Sequence, residues 1–227
     1  MSLKPLKKSD MDKNWMKRRQ DRKIMIQPEY HLIVTEGTKT EPQYFQTIKD
    51  IINQKYRRRI QLDIYGEGDN TIGLFEKARN RAVGNRAVIY KHVWVVYDTD
   101  DFPAEHINKT VELCDTESNE ETIYHAIWSN QCIELWYLLH FCYFQSDIAR
   151  EGYWSKLSDW MKSYGIGEYQ KNRQDMFQVL RPYMDMAIVN ARRLSEINGG
   201  RAPASAAPGT KVYELIEMLI PYLRESE

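Results

Sequence analysis

The sequence has few cysteines and no long apolar run. Cys114, Cys132 and Cys142 are the only three cysteines among 227 residues, and none forms a CxxC pair. Such spacing excludes a disulfide framework and the usual structural zinc motifs. No stretch reaches the roughly 18 apolar residues that a membrane-spanning helix needs, and the N-terminus lacks the apolar segment of a signal peptide. We therefore expect a reduced, cytoplasmic protein without membrane contact.

The sequence also lacks a net charge, because 32 basic residues balance 32 acidic ones. Overall charge therefore gives no argument for nucleic-acid binding. The distribution is uneven, since residues 1–23 hold nine Lys or Arg residues against three Asp residues. We assign residues 1–29 to a basic N-terminal arm. It is either a solvated tail or an arm that binds phosphates without sequence preference.

Strand and helix patterns alternate from about residue 30 onward. Strands are predicted at 31–35, 59–65, 92–97 and 122–128, and helices at 41–55, 71–83, 105–116 and 132–144. Four strand–helix units in succession are typical of an α/β fold, with a central parallel sheet of about four strands flanked by helices. We assign residues 30–150 to this domain.

The pattern after residue 150 is helical. Helices are predicted at 154–164, 176–197 and 211–224, and Pro182 marks a start or a kink in the second of them. The segment 198–209 is rich in small residues and is predicted to be a linker or a mobile loop. We assign residues 151–227 to a C-terminal helical extension packed on the α/β domain.

Acidic residues follow two of the predicted strands. Glu36 comes directly after the first strand, and Asp98 and Asp100 end the third. Ligands of open parallel sheets collect at the carboxyl ends of strands, and residues at i and i+2 point the same way. Carboxylates buried this close together need a cation or a proton, and hard oxygen ligands suit Mg²⁺ or Mn²⁺. The alternative is a pair of loop aspartates that caps the next helix.

Three blocks of sequence resemble the RloB-like family, and they occur in the same order. They are Glu36-Gly-x-Lys-Thr-Glu-x-x-Tyr-Phe, VWVVYDTDDF at 93–102, and Ser129-Asn-x-Cys-x-Glu-Leu-Trp-x-Leu-Leu-His-Phe. A strand ending in Glu-Gly and a later strand ending in Asp-x-Asp also resemble the TOPRIM domain. The family belongs to bacterial phage-defence and abortive-infection loci and is regarded as TOPRIM-like. Gln131 and Ile133 depart from its pattern, where proline and an aromatic residue are expected.

The resemblance implies a TOPRIM/Rossmann-like sheet and a role for each matched residue. Glu36 would be a metal ligand or a general acid/base, and Asp98 and Asp100 would be metal ligands. Glu41 matches a position where nuclease-type TOPRIM domains often carry another acid, so it would bind the metal or support a ligand. Lys39 would contact the scissile phosphate or the leaving oxygen, or else it is a solvated loop lysine.

Four further residues each have two interpretations. Asp101 starts the next helix or supports a ligand. Asn130 caps the helix after the fourth strand or meets the substrate. Glu134 faces solvent, or it reaches toward the metal site or holds Lys39. Lys171 belongs to a set of basic residues that either form a phosphate-contacting rim or are simply solvated.

These features favour a divalent-metal-dependent nuclease that acts on DNA or RNA. The resemblance adds a phage-defence role and an ATPase partner encoded nearby. A haloacid-dehalogenase-like phosphatase is one alternative, with Asp98 as nucleophile and Asp100 as acid/base, although its nucleophile strand normally opens the fold. A TOPRIM-like domain that senses a ligand or binds a partner without catalysis is another. A homo-oligomer is compatible with the sequence, but no motif specifies one.

Overall fold

The computed structural model of the chain describes residues 27–99 and 102–224. The predicted basic arm up to residue 26 lies outside the described residues. The same holds for two predicted site residues, Asp100 and Asp101, and for the chain from residue 225.

Five strands form one central sheet, which confirms the α/β class. They are β1 (Glu29–Thr35), β2 (Ile60–Gly66), β3 (Tyr90–Asp98), β4 (Ile123–Asn130) and β5 (Gly209–Thr210). The spatial order is β2-β1-β3-β4-β5. The first four strands are parallel, as predicted, and the short β5 runs antiparallel to β4. Every residue of β3 but one is buried, which accounts for its continuous apolar pattern.

Helices connect and cover the strands. They are α1 (Thr40–Lys55), α2 (Thr71–Gly84), α3 (Ala104–Glu117), α4 (Glu134–Leu139), α5 (Arg150–Ser163), α6 (Met176–Leu180), α7 (Met184–Asn198) and α8 (Val212–Arg224). Asn70 caps α2, because its side-chain oxygen accepts a hydrogen bond from the Gly73 N–H at 2.9 Å. Among the described residues, no helix is both long enough and apolar enough to span a bilayer.

Two of the predicted helices are wrong in extent. The apolar segment 132–144 is helical only in the short α4, and its last residues pack on the core without regular structure. Apolar content alone does not distinguish a helix from irregular buried chain. The segment 176–197 is interrupted by a 3₁₀ turn at Arg181–Tyr183, because Pro182 has no N–H to continue an α-helix.

The predicted linker before α8 is ordered and contributes β5. Ser129 and Thr210 join β4 to β5 through their hydroxyl groups, 2.8 Å apart. Asn130 does not cap α4, so that interpretation is wrong. Its side-chain amide donates to the Pro203 carbonyl at 3.0 Å instead. Asn130 thus fixes the linker against the end of β4.

Both faces of the sheet are covered by apolar side chains. Helices α2 and α3 pack on one face, over residues such as Leu32 and Val95. Helix α1 and the helices after β4 share the core on the other face, where Phe45, Trp136 and Leu215 are fully buried. The helical C-terminal part therefore belongs to the same hydrophobic core as α1.

Asn53 of α1 closes the outer edge of β2. Its side-chain amide donates to the Leu62 carbonyl at 2.9 Å, and the Leu62 N–H donates to its Oδ1 at 2.8 Å. An edge strand otherwise leaves such backbone groups without a partner. The Asn53 side chain thus replaces the strand that is missing on this side.

We expect Asn53→Ala to lower the free energy of unfolding by roughly 2 kcal/mol, because two backbone groups of a buried residue lose their partner. The neighbouring exposed residue gives a matched control, since Gln54→Ala should change it by less than about 0.5 kcal/mol. Chemical denaturation of both variants measures the difference. Equal effects would contradict the bridging role of Asn53.

Candidate functional site

The strand order reverses between β1 and β3. Helix α1 leads from β1 outward to β2, and α2 then returns past β1 to β3. Open α/β sheets bind ligands outside the carboxyl ends of strands at such a reversal. A cleft of about 370 Å³ opens there.

Charged side chains of both signs line this cleft. Its lining includes four carboxylates and three basic groups, namely Glu36, Glu41, Asp98 and Glu134 with Lys39, Arg150 and Lys171. Six of these seven residues are predicted site residues, and Arg150 is new. Asn130 is not part of the lining.

Glu36 and Asp98 are in direct contact. The backbone N–H of Asp98 donates to Glu36 Oε2 at 3.0 Å. The Glu36 N–H donates to the Val96 carbonyl at 2.9 Å, so the loop after β1 continues to pair with β3. Acids 62 residues apart therefore meet at one edge of the sheet, as predicted.

Glu41 lies in the first turn of α1 and is buried. The positive end of the helix dipole favours a carboxylate there. Its carboxylate packs directly over Gly37, where an added Cβ would lie 1.9 Å from Glu41 Oε2. A side chain after Glu36 would therefore displace the Glu41 carboxylate from this position.

The buried carboxyl groups of Asp98 and Glu41 are difficult to ionise. Burial raises the pKa of the Asp98 carboxyl well above its usual range, and the nearby Glu41 carboxylate raises it further. Burial also raises the pKa of Glu41, with Glu134 adding to the effect and Lys171 opposing it. The cleft therefore favours the binding of positive charge.

Arg150 supplies positive charge at the centre of the site. Its Nη2 donates to Asp98 Oδ2 at 3.0 Å, and the two side chains are 26% and 6% exposed. Sequence patterns did not identify this residue, which lies 52 positions after Asp98. One signal was available, because a basic residue at the first position of a helix opposes the helix dipole.

Glu134 is buried and faces the cleft, so the solvent-facing interpretation is wrong. The Tyr169 hydroxyl donates to Glu134 Oε1 at 2.7 Å and fixes that carboxylate. Tyr169 was also missed by sequence reasoning, since it lies in a loop without local pattern. The buried Tyr137 hydroxyl has no hydrogen-bond partner among the described residues.

The donor chemistry of the cleft fits a hard divalent cation. Carboxylate oxygens are the ligands that Mg²⁺ and Mn²⁺ prefer. No three of the described cleft carboxylates bring oxygen atoms within 4.8 Å of one another. Mg²⁺ does not need such a close set, because it usually keeps several waters and binds one or two carboxylates together with substrate phosphates.

The fold and the cleft define an α/β protein with an acidic site at the carboxyl edge of its parallel sheet. The family model described as RloB-like protein matches residues 31–219. The chain therefore belongs to the RloB-like family, which confirms the resemblance found in the sequence. Comparison with curated proteins and with solved structures gives no match. The likeness to TOPRIM domains stays a prediction.

We expect Glu41→Gln to stabilise the metal-free protein at alkaline pH. Because the folded-state pKa of Glu41 is raised, its contribution to stability is complete below the unfolded pKa and is lost as the pH rises through the folded pKa. At about pH 8 the variant should gain on the order of 1 kcal/mol, which corresponds to about 2–4 °C in Tm. The gain should vanish as the pH falls towards about 4.

Thermal denaturation in the presence of a chelator, followed across this pH range, measures the effect. Glu120→Gln serves as the control, because Glu120 is exposed and distant from the cleft. A variant less stable than the wild type at alkaline pH would show that Glu41 makes a favourable ionic contact instead.

Proposed function

We propose that the chain is a divalent-metal-dependent nuclease that hydrolyses phosphodiester bonds of DNA or RNA in a bacterial phage-defence system. One observation carries this proposal: four carboxylates and three basic groups line one cleft where the strand order reverses. A site that hydrolyses a phosphodiester needs both signs of charge. Basic groups bind the anionic phosphate oxygens, and acidic groups hold the metal cation. Membership of the RloB-like family supports the defence role, and an ATPase from the same locus is the expected partner.

The basic residues of the cleft would bind the substrate phosphates. Lys39 and Lys171 are both exposed at its rim, where phosphate oxygens can reach them. Arg150 lies deeper and pairs with Asp98. A guanidinium carries several donors in a planar arrangement that suits phosphate as well as carboxylate oxygens.

The acidic residues would hold the metal and order the site. Glu36, Asp98 and Glu41 are the described candidates for ligands, together with Asp100 beyond the described residues. A bound Mg²⁺ or Mn²⁺ would neutralise a phosphodiester oxygen and lower the pKa of a nearby water. The Asp98 N–H orients Glu36, and the Tyr169 hydroxyl orients Glu134. These contacts fix the directions in which carboxylate oxygens face the cleft.

The activity can be tested on the purified full chain with plasmid DNA, single-stranded DNA and transfer RNA in Mg²⁺ or Mn²⁺. Asp98→Asn and Glu36→Gln should each reduce cutting by about a hundredfold or more, because each removes a charged metal ligand. Asp115→Asn, an exposed aspartate of α3, should cut like the wild type. Circular dichroism checks that all variants are folded.

Three results would contradict the proposal. Equal cutting by wild type and both site variants would indicate a contaminating nuclease. Metal-dependent turnover of a phosphomonoester with a covalent phosphate on Asp98 would favour the phosphatase. No turnover of any substrate, with tight binding of a partner protein, would favour the non-catalytic domain.

Lys171→Gln should weaken substrate binding with little change in kcat. Lys171 is exposed at the rim, so it would bind a substrate phosphate without holding the metal. We expect KM to rise several-fold and the slope of log K against log salt to fall by about 1. Lys162→Gln on the exposed face of α5 is the matched control. A fall in kcat at unchanged KM would instead place Lys171 at the reacting phosphate.

A further inference from the structure

A second cluster of metal-binding residues lies at the opposite edge of the sheet. Glu29 and His31 occupy the start of β1 and share one face of the strand, because they are two residues apart. His92 pairs with His31 in the register of β1 and β3. His125 lies near the start of β4. Since all these strands are parallel, the cluster is at their amino ends, away from the acidic cleft.

The donor atoms of three of these residues converge. His31 Nε2 lies 2.8 Å from Glu29 Oε1, and His92 Nε2 lies 3.8 Å from the same oxygen. All three donor atoms are within 4.8 Å of one another. Ligand atoms around a tetrahedral zinc ion are about 3.3 Å apart. The two separations from Glu29 bracket this value, and the Glu29 side chain is 48% exposed, which leaves it room to adjust.

A fourth residue orients one of the ligands. His92 Nδ1 and His125 Nε2 are 2.9 Å apart. When the His92 Nδ1–H donates to His125, the lone pair of His92 Nε2 points toward Glu29. Histidine ligands of metals are usually held in this way, through a hydrogen bond from the other ring nitrogen.

We propose that Glu29, His31 and His92 form a binding site for a transition metal of the Zn²⁺ class, with His125 as the positioning residue for His92. Two imidazoles and one carboxylate favour Zn²⁺ or Co²⁺ over Mg²⁺. Both histidine ligands are buried while Glu29 reaches the surface. A fourth coordination position would therefore face solvent. This site is independent of the proposed nuclease centre.

Trp94 gives the site an internal reporter. Its indole N–H donates to His31 Nδ1 at 3.3 Å, so without metal His31 carries its proton on Nε2 and donates to Glu29. Coordination through Nε2 transfers this proton to Nδ1, where it faces the indole N–H. Trp94 must then give up its hydrogen bond, which changes its environment.

The test uses the full chain without a histidine tag and with Zn²⁺ or Co²⁺ alone. Co²⁺ should give the visible absorption of a tetrahedral site, and competition with a chelator measures the affinity for Zn²⁺. Glu29→Gln and His92→Asn should each weaken Zn²⁺ binding by at least about tenfold. Glu121→Gln, an exposed carboxylate at the same edge, should leave it unchanged.

Several outcomes would overturn the site. Glu29 is exposed, so Glu29→Gln removes a ligand without disturbing the core, and unchanged affinity in this variant would refute the proposal. Loss of Zn²⁺ binding in Asp98→Asn would place the ion in the cleft. Zn²⁺ should change tryptophan fluorescence in the wild type but not in Trp94→Phe. Tight Zn²⁺ binding without a fluorescence change would show that His31 is not a ligand.

Discussion

Repulsion between buried carboxylates is the constraint around which the cleft is built. The topology brings Asp98 beside Glu36, and α1 and α4 add Glu41 and Glu134. Removing one such charge from water without a partner costs several kcal/mol. Arg150 offsets part of this cost at Asp98, and backbone or hydroxyl donors offset part of it at the glutamates. Burial, and then the neighbouring carboxylates, still raise the pKa of Asp98 well above its usual range, so the cluster favours a bound cation or a proton. A divalent cation would supply the positive charge.

The helical C-terminal part completes this balance of charge. Arg150 begins α5, and Tyr169 and Lys171 follow in the loop after it. Thr40 at the start of α1 donates to the Asn172 side chain at 2.8 Å, which ties that loop to the first strand–helix connection. The boundary at residue 150 between an α/β domain and a helical extension stays a prediction. The cleft itself needs residues from both sides of that boundary.

Sequence patterns predicted the features that depend on the periodicity of apolar residues and on the residues at strand ends. The pattern at 92–97 predicted the strand β3, and the acids at the ends of β1 and β3 identified the edge where a site would form. Arg150 and Tyr169 were not predictable in this way, because their roles arise from tertiary packing across the helical half. The two-residue β5 was missed because Gly209 and Thr210 show no strand pattern. Their pairing with β4 accompanies tertiary contacts, in which Ser129 and Asn130 bond to the linker through their side chains.

The two edges of the sheet present different ligand chemistry, which bears on how one domain would keep two metals apart. Nitrogen ligands bind Zn²⁺ far more tightly than Mg²⁺, so a site rich in imidazole selects the transition metal whenever both are present. The cleft offers carboxylate oxygens, which suit an ion that keeps several of its waters. The histidines lie at the amino ends of the parallel strands and the cleft carboxylates at the carboxyl ends. The length of the strands therefore keeps the two kinds of ligand apart. With both ligand types at one edge, imidazole and carboxylate could coordinate the same ion, and such a mixed site would favour Zn²⁺ over Mg²⁺.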